Sequence, residues 1–499
     1  MLFSSMIFLW VFLPIVLTGN FLVNFIKFKN RRTKIQVKNC FLLVLSLAFY
    51  AWGGIYYLLL MLASIVINYL GALIMEKAAK TPTARKWTLI GTIIANLAML
   101  FFFKYFNMTV TVIEAILGPL PEGQSVLDAM INMQGTGRLS LPYIVLPIGM
   151  SFFTFQAMSY VIDVYRNDAK LQTNIFDFAL YVSLFPQLIA GPIVRYSDVA
   201  LELEDRSESI ELMVQGIKRF CYGIGKKVLL SNTFAMIADS IWSVEDTTTL
   251  GTAVAWYGIA AYTLQIYYDF SGYSDMAIGL GKMLGFHFKE NFDYPYTSLS
   301  VQEFWRRWHI SLSTWFREYV YIPLGGNRKG KFRTYLNLFI VWCLTGIWHG
   351  ANFTFIAWGL FYAVLLIIER LFLGKLLKKN PVKIFNWVYT MLAVMIGWVY
   401  FRSNTITQAN QFMGQLFSFT EGKGVYLTTY LSMQNMITFA VGILLCGLVQ
   451  RPLQRVYNEK LKDKLPVLAL DFLCQAVLLG LAILMIISGT YNPFIYFQF

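Results

Sequence analysis

Residues 56–75 of the chain read YYLLLMLASIVINYLGALIM, twenty positions without a charged side chain. As an α-helix, twenty residues extend about 30 Å, which matches the hydrocarbon thickness of a bilayer. Further apolar stretches occur from one end of the sequence to the other, at 6–26, 87–106, 353–368, 387–401, 436–448 and 465–488. The sequence therefore predicts an all-α polytopic membrane protein.

The composition agrees with this class. Hydrophobic residues make up 57% of the 499 residues and charged residues 14%, whereas soluble domains carry about a quarter charged residues. Much of the net charge of +14 sits in short loops, so it gives no reason to expect a nucleic-acid partner. The five cysteines form neither a disulfide framework nor a CxxC metal pattern.

Loop charge predicts the topology. Lys and Arg are concentrated in 27–38, 77–86, 306–333, 370–383 and 451–464, and are scarce in 107–142 and 403–433. By the positive-inside rule the first group is cytoplasmic and the second external, which places both termini outside. The N-terminal apolar run is not expected to be a cleavable signal peptide, because no Lys or Arg precedes it.

The stretch 175–296 is interrupted repeatedly. The interrupting residues are Pro186, Gly191, Pro192, Gly223, Gly225, Gly272 and Gly285. Broken helices at membrane depth are tolerated only where protein buries them or where they line a cavity. We therefore expect re-entrant or half-spanning elements here, around a central cavity.

The sequence contains three histidines, of which His349 follows a short apolar run, 335–348. As a helix these residues cover about 21 Å, less than a ~30 Å core. Counted from the basic cytoplasmic loop, His349 is expected inside the outer part of the membrane, where an ionisable residue indicates function. A neutral imidazole can take a proton from an acceptor hydroxyl and return it to a leaving thiol. The alternative is a buried histidine that bonds a backbone carbonyl.

The second histidine, His309, follows a helix-start pattern. Ser300 and Glu303 match a capping box, so a helix is predicted to begin there. One face of a helix that continues through this segment holds Trp305, Trp308, His309, Leu312, Trp315 and Phe316. The other face holds Arg307, Ser311, Thr314 and Glu318. We expect the aromatic face to pack into the bundle or the membrane interface and to take His309 inward. The alternative is an interfacial anchor helix whose histidine is merely packed.

The remaining polar groups have less specific surroundings. His287 is expected to be structural. Asp269 and Asp275 stand in an otherwise apolar stretch; they either orient a catalytic histidine or bind a cation, or they pair with a buried Arg or cap a broken helix, and we favour the structural role. No ligand spacing of the HExxH kind occurs, so no metal site is expected.

Two basic groups are candidates for binding an anionic donor on the cytoplasmic side. One consists of Arg306, Arg307 and Arg317, and the other is the Gly-rich segment 325–333. Guanidinium groups and glycine-rich backbone both suit phosphates. The alternative is charge that only sets the topology, which we favour for 325–333.

Five ordered stretches together resemble the membrane-bound O-acyltransferase family, and within it the branch that acetylates alginate and other cell-surface polysaccharides. These are MSFFTFQAMSYVIDVY (150–165), QLIAGPI (187–193), DFSGYSD (269–275), the segment 305–326 and WHG (348–350). The similarity covers nearly the whole chain, including the ending NPFIYF (492–497).

The resemblance implies a single domain over 1–499, with about 11–13 transmembrane or re-entrant helices around a central tunnel. Its catalytic core would be 143–370, between spanning helices in 1–142 and 371–499. His349 corresponds to the central catalytic histidine of the family and His309 to a second, cytoplasmic one. The residues expected to support them or to bind the donor are Asp269, Trp305, Arg306, Arg307 and Trp308.

The function implied by the resemblance is transfer of an acyl group, expected to be acetyl, from a cytoplasmic thioester to a polysaccharide outside a bacterial cytoplasmic membrane. Acetyl-CoA would be a substrate and no cofactor would stay bound. An extracellular serine-type O-acetyltransferase is the expected partner. Two alternatives are D-alanylation of teichoic acid from a carrier protein and a transport or polymer-export channel without chemistry.

The C-terminal segment 491–499 is apolar and aromatic. Pro493 is expected to end the preceding helix, so that the tail lies at the outer surface and can fold back near His349. Tyr496 would then be a covalent acyl relay, activated by a neighbouring base. The alternative is an aromatic belt that anchors the last helix at the interface.

Overall fold

A computed structural model of the protein describes residues 1–118, 125–133, 144–461, 464–489 and 491–495. Within these ranges the regular elements are helical and no strand occurs. The N-terminal α-helices are α1 (Leu13–Leu22), α2 (Arg31–Ala51), α3 (Ile55–Leu73), α4 (Pro82–Leu117) and α5 (Val126–Ile131). The middle of the chain forms α6 (Met150–Arg166), α7 (Ile175–Ser183), α8 (Phe185–Leu188), α9 (Tyr196–Glu204), α10 (Ile210–Gly225), α11 (Asn232–Trp242), α12 (Thr252–Met283), α13 (Val301–Arg307), α14 (Ile310–Phe316) and α15 (Gly330–His349). The C-terminal α-helices are α16 (Phe353–Ile368), α17 (Gly374–Lys379), α18 (Lys383–Arg402), α19 (Ile406–Leu416), α20 (Met433–Ile443), α21 (Gln450–Val456) and α22 (Leu465–Ser488).

Short turns of other helix types extend or join these helices. The π-helical turns are Phe8–Phe12, Ile74–Ala78, Lys226–Ser231, Arg317–Tyr321, Glu369–Leu373, Leu444–Leu448 and Tyr457–Leu461. The 3₁₀ turns are Val23–Phe25, Thr247–Thr249, Pro295–Thr297 and Leu427–Tyr430. The all-α class predicted from the sequence is confirmed.

Seven helical stretches of the described residues are long and apolar enough to cross a membrane. They are Phe8–Phe25, Arg31–Ala51, Ile55–Ala78, Pro82–Leu117, Phe353–Lys379, Lys383–Arg402 and Leu465–Ser488. An eighth results if Met433–Leu448 and Gln450–Leu461, which meet at an angle of 55°, count as one span. All of them lie before residue 119 or after residue 352. The predicted total of about 11–13 spanning or re-entrant helices stays a prediction.

Helix α12 is the centre of the middle region. It is 32 residues long and every residue from 261 to 281 is buried, although it is not among the stretches apolar enough to span. Because protein surrounds it, its polar side chains meet protein partners rather than lipid. The helix is therefore long without being uniformly apolar.

Two of the expected interruptions are instead points of close helix packing. A Cβ built on Gly223 of α10 would lie 2.6 Å from the carbonyl oxygen of Gly272 on α12, and one on Gly272 would lie 2.8 Å from that of Gly223. Gly216 and Gly279 form a second such pair, at 2.6 Å in both directions. The prediction of breaks at Gly223 and Gly272 was wrong, because these glycines let two backbones approach inside continuous helix.

Other expected interruptions are real. Helix α7 ends at Ser183, α8 comprises only Phe185–Leu188, and the backbone is not α-helical from there to Arg195. Gly285, with φ of +81°, follows the end of α12. Gly225 is a further error, since α10 continues through the π-helical turn Lys226–Ser231 directly into α11.

The helix predicted to run from Ser300 through His309 is broken. Ser300 caps α13 as expected, its Oγ accepting from the Glu303 N–H at 3.0 Å. His309, however, has φ of +46° and ψ of +53°, a left-handed conformation that separates α13 from α14. The predicted aromatic face is nevertheless buried, with His309 1% exposed.

The described part of the C-terminal tail enters the helix bundle. Phe494 and Ile495 are 3% and 2% exposed. The Ile495 N–H donates to Asp269 Oδ2 at 2.8 Å, and Lys227, ion-paired with Asp269 Oδ1 at 2.6 Å, donates to the Pro493 carbonyl. The prediction that the tail lies at the outer surface was therefore wrong for residues 493–495. Their backbone groups bond to a buried ion pair instead of to water. Tyr496 lies outside the described residues.

We predict that Gly223→Ala destabilises the protein, because the added methyl group collides with backbone atoms of α12. Overpacking of this kind costs about 1–3 kcal/mol, which thermal unfolding in detergent will register as a lower Tm. The matched control is Gly480→Ala in α22, where a Cβ meets nothing within 4 Å. It should be neutral or stabilising by up to about 1 kcal/mol. Equal Tm values for the two variants would contradict the glycine-packing argument.

Candidate active site

The first candidate residue, His309, lies at the break between α13 and α14 among aromatic rings. Its ring centroid is 4.6 Å from that of Phe270 on α12 and 6.3 Å from that of Phe152 on α6. Its Nδ1 is 3.3 Å from Asn291 Oδ1. That oxygen also accepts from the Ser311 N–H at 3.1 Å, which identifies it as the amide oxygen.

The second candidate, His349, is the last residue of α15. Its Nδ1 lies 2.8 Å from the carbonyl oxygen of Thr345, one turn earlier in the same helix. Ring centroids of Trp358 and Phe401 are 4.8 and 5.3 Å from its own. The backbone-carbonyl contact of the structural interpretation is thus present, but it occupies only one of the two ring nitrogens.

The two imidazoles share one tautomeric preference. In each, the neighbour of Nδ1 is an oxygen that can only accept, so the neutral ring carries its proton on Nδ1 and leaves Nε2 as the basic nitrogen. His309 Nε2 is buried and has no hydrogen-bond partner among the described residues. Both histidines are therefore held in the form that can accept a proton or a hydrogen bond.

Trp348 connects the two histidines. Its ring centroid is 6.2 Å from that of His309 and 4.9 Å from that of His349. Its indole N–H is buried and, in the part of the chain that the structure covers, has no acceptor. Two imidazoles with a basic nitrogen and an unused N–H donor thus lie close together, which is the polarity that an acyl carbonyl and an attacking hydroxyl require.

Trp305 and Trp308, expected to support the site, are both buried in an aromatic cluster. The Trp305 ring lies 4.7 Å from Trp342 and 5.5 Å from Trp358, and the Trp308 ring lies 5.1 Å from Trp398. Since Trp358 contacts His349 directly, the cluster links α13 to the second histidine through packed rings.

The other expected supporting groups do not contact either imidazole. Asp269 binds Lys227 and the C-terminal tail. Arg307 donates to Glu303 Oε1 at 2.6 Å and to Thr297 Oγ1 at 3.2 Å, and Arg306 is exposed. Asp269 is nevertheless adjacent in α12 to Phe270, which packs on His309.

Asp275 and His287 behave as the structural interpretation expected. Asp275 pairs with Arg219 and Lys226, at 2.6 Å in each case. The exposed His287 contacts Glu202 Oε1 at 2.7 Å. Among the described residues no group of three His, Cys, Asp or Glu side chains is arranged to hold a metal ion.

Sequence reasoning missed Lys104, a buried lysine of the spanning helix α4. Its ammonium donates to the carbonyl oxygens of His349, at 3.0 Å, and of Trp348, and to Ser151 Oγ at 3.3 Å. The signal was present, because a lysine inside an apolar span is itself an indication of function. The average hydrophobicity of 87–106 hides this single charge.

Comparisons with known proteins identify the family of the chain. The model of the membrane-bound O-acyltransferase family matches residues 150–407, which include both histidines. A probable alginate O-acetylase of Pseudomonas putida is 40% identical over the full length of both chains. That of Pseudomonas aeruginosa is 41% identical over 93% of this chain and 84% of its own. A peptidoglycan O-acetyltransferase of Helicobacter pylori is 33% identical over 82% of this chain and 78% of its own.

The extent of these matches excludes a channel without chemistry, and it confirms the family resemblance carried by the sequence motifs. The chain belongs to the membrane-bound O-acyltransferase family and is an acyltransferase.

Proposed function

We propose that this enzyme moves an acetyl group from a cytoplasmic thioester, acetyl-CoA, across a bacterial cytoplasmic membrane for O-acetylation of a cell-surface polysaccharide. The observation that carries the proposal is the grouping of His309 and His349 beside Trp348, each with Nε2 as its basic nitrogen. The names of the relatives, which are O-acetylases of alginate and of peptidoglycan, support the choice of acetyl and of a polymer acceptor.

His349 acts as the general base in the proposed reaction. Its Nε2 takes the proton of the attacking hydroxyl as that oxygen bonds to the acyl carbon, the C–S bond breaks, and the proton passes to the leaving thiolate. The unpartnered Trp348 N–H is suited to the acyl oxygen, where negative charge develops. His309 Nε2, also unpartnered, is suited to a hydrogen bond from the thioester donor.

The surrounding residues have supporting roles. Trp305 and Trp308 fix α13 through the aromatic cluster. Arg307 pairs with Glu303 within α13 and bonds Thr297 of the preceding 3₁₀ turn, and the exposed Arg306 is available to meet the donor's phosphates. This assignment rests on the loop charges, which predict that 306–333 is cytoplasmic and that both termini are outside.

We predict that His349→Ala lowers acetyl transfer by about 10²–10⁴-fold, the usual contribution of a general base. Initial rates will be measured in membranes with radiolabelled acetyl-CoA, normalised to folded protein. His287→Ala is the matched control, because the His287 side chain is exposed and bonds Glu202. This variant should retain wild-type rates. Full transfer by a well-folded His349→Ala variant would refute the base assignment. Labelling from a D-alanyl carrier protein but not from acetyl-CoA would replace acetyl with D-alanyl.

Tyr496 is proposed as an acyl relay between the site and the outer surface. The last described residue before it, Ile495, is buried and bonded to Asp269, and the adjacent Phe270 packs on His309. The segment that leads to Tyr496 is thus anchored inside the bundle beside the candidate site, which supports a role beyond anchoring at the interface.

For this relay we expect Tyr496→Phe to reduce acetylation of the polymer at least tenfold, because the ring remains while the nucleophilic hydroxyl is lost. Polymer-bound acetate released by mild alkali will measure it. Tyr491→Phe is the matched control in the same tail; its hydroxyl bonds Asp239, and its loss should leave acetylation near wild type. Unchanged acetylation by Tyr496→Phe would reduce the tail to a packing element.

A separate extracellular transferase of the serine type is proposed to complete the reaction. The segments expected outside, 107–142 and 403–433, contain no histidine, so neither supplies a Ser-His-Asp set of its own. A large hydrated polymer is also a poor fit for a histidine buried among aromatic rings.

Purified enzyme in vesicles is therefore expected to transfer acetyl from acetyl-CoA to Tyr496 no more than once per molecule, and to leave added polysaccharide unacetylated. Addition of the partner should restore polymer acetylation, measured as polymer-bound label after gel filtration. Acetylation of the polysaccharide by the purified enzyme alone would contradict the requirement for a partner.

A further inference from the structure

Helix α15 ends inside the protein, and its final carbonyl groups have side-chain partners from one other helix. The last four carbonyls of an α-helix have no partner within the helix. Here the carbonyl of Ile347 accepts from the Tyr105 hydroxyl, while those of Trp348 and His349 accept from Lys104. Two consecutive residues of α4 thus cap three consecutive carbonyls.

The charged side chain of Lys104 points from the spanning helix α4 into the protein. Its neighbours Phe101 and Phe102 are 56% and 47% exposed on the outer face of α4, whereas Lys104 is 7% exposed. Its three oxygen partners, including Ser151 Oγ on α6, match the three N–H donors of an ammonium group. A cation at this point also suits the partial negative charge at a helix C-terminus.

The cap bears directly on the catalytic geometry. The imidazole of His349 is oriented by its bond to the Thr345 carbonyl, one turn back. Fraying of the last turn would displace that carbonyl relative to the ring and would release Trp348, whose ring lies beside both histidines. The Lys104 ammonium lies 5.7 Å from the Trp348 ring centroid, so the same side chain touches both the backbone and the indole of this turn.

We infer that Lys104 and Tyr105 are positioning residues, which hold the last turn of α15 and thereby aim His349 Nε2 and Trp348 at the acyl group. The inference rests on the proposed role of His349. It assigns no bond-making step to Lys104 or Tyr105, since neither is placed against the reacting atoms.

The test compares Lys104→Met, Lys104→Arg and Tyr105→Phe in membrane vesicles supplied with acetyl-CoA, the partner transferase and the polysaccharide. Because displacement by about 1 Å can cost 10²-fold in rate, we expect Lys104→Met to lower kcat at least tenfold while KM for acetyl-CoA changes less than about twofold. Lys104→Arg keeps the charge and the donors and should recover much of the rate. Tyr105→Phe, which loses one bond of the cap, should have an intermediate rate.

Two controls separate positioning from general stability. Lys38→Met removes another buried lysine, which is paired with Glu208 at 2.6 Å, and Tyr69→Phe removes another tyrosine bond to a backbone carbonyl, that of Thr173. Both should lower the amount or Tm of the protein without lowering kcat per folded molecule. Hydrogen exchange of peptides covering 340–352 should be faster in Lys104→Met and unchanged in Lys38→Met.

The outcomes distinguish this inference from the proposed function. Wild-type kcat in Lys104→Met, or unchanged exchange in 340–352, would overturn the positioning role even if His349→Ala is inactive. Retained transfer by His349→Ala would instead overturn the proposed function, while accelerated exchange in Lys104→Met would still establish the cap.

Discussion

The break between α13 and α14 is held by a single distant residue, Asn291. Its backbone carbonyl accepts from the Ile310 N–H at 3.0 Å, and its Oδ1 accepts from the N–H and the hydroxyl of Ser311 at 3.1 and 2.9 Å. These bonds supply partners for donors that a helix start leaves open, and they offset the cost, of order 1–3 kcal/mol, of a left-handed residue at His309. Because the same oxygen receives His309 Nδ1, the bend of the chain and the tautomer of the imidazole have one common cause.

The second histidine, His349, likewise lies at a helix end whose backbone groups need partners from elsewhere in the chain. A helix that stops inside the bundle exposes carbonyls that lipid cannot solvate, and α4 provides the donors through Lys104 and Tyr105. Each candidate catalytic residue therefore sits where regular structure stops, and in each case a distant side chain satisfies the backbone. The orientation of the two imidazole rings is therefore kept only while those partners stay in place.

The sequence predicted the parts of this arrangement that repeat along the chain. Long apolar runs predicted the outer helices, the Ser300–Glu303 pattern predicted the start of α13, and the scarcity of histidine singled out His309 and His349. It could not predict the left-handed turn at His309, since this turn depends on Asn291, eighteen residues earlier in the chain. A glycine such as Gly223 or Gly272 is found both at helix breaks and where two helices cross closely. Only the packing of α10 on α12 shows that these two glycines belong to a helix crossing.

Helix α12 shows why the helices of the middle region were harder to predict from the sequence than the spanning helices at either end of the chain. Its glycines pack against α10, and Phe270 packs on His309. Asp269 binds both Lys227 and the C-terminal tail. A helix with three such neighbours needs small and charged residues on faces that lipid would require to be apolar. Its modest hydrophobicity is thus a consequence of its position. The ion pair at Asp269 and the ring at Phe270 are consecutive residues, so any shift of the tail that moves this turn of α12 also moves the wall against which His309 is packed.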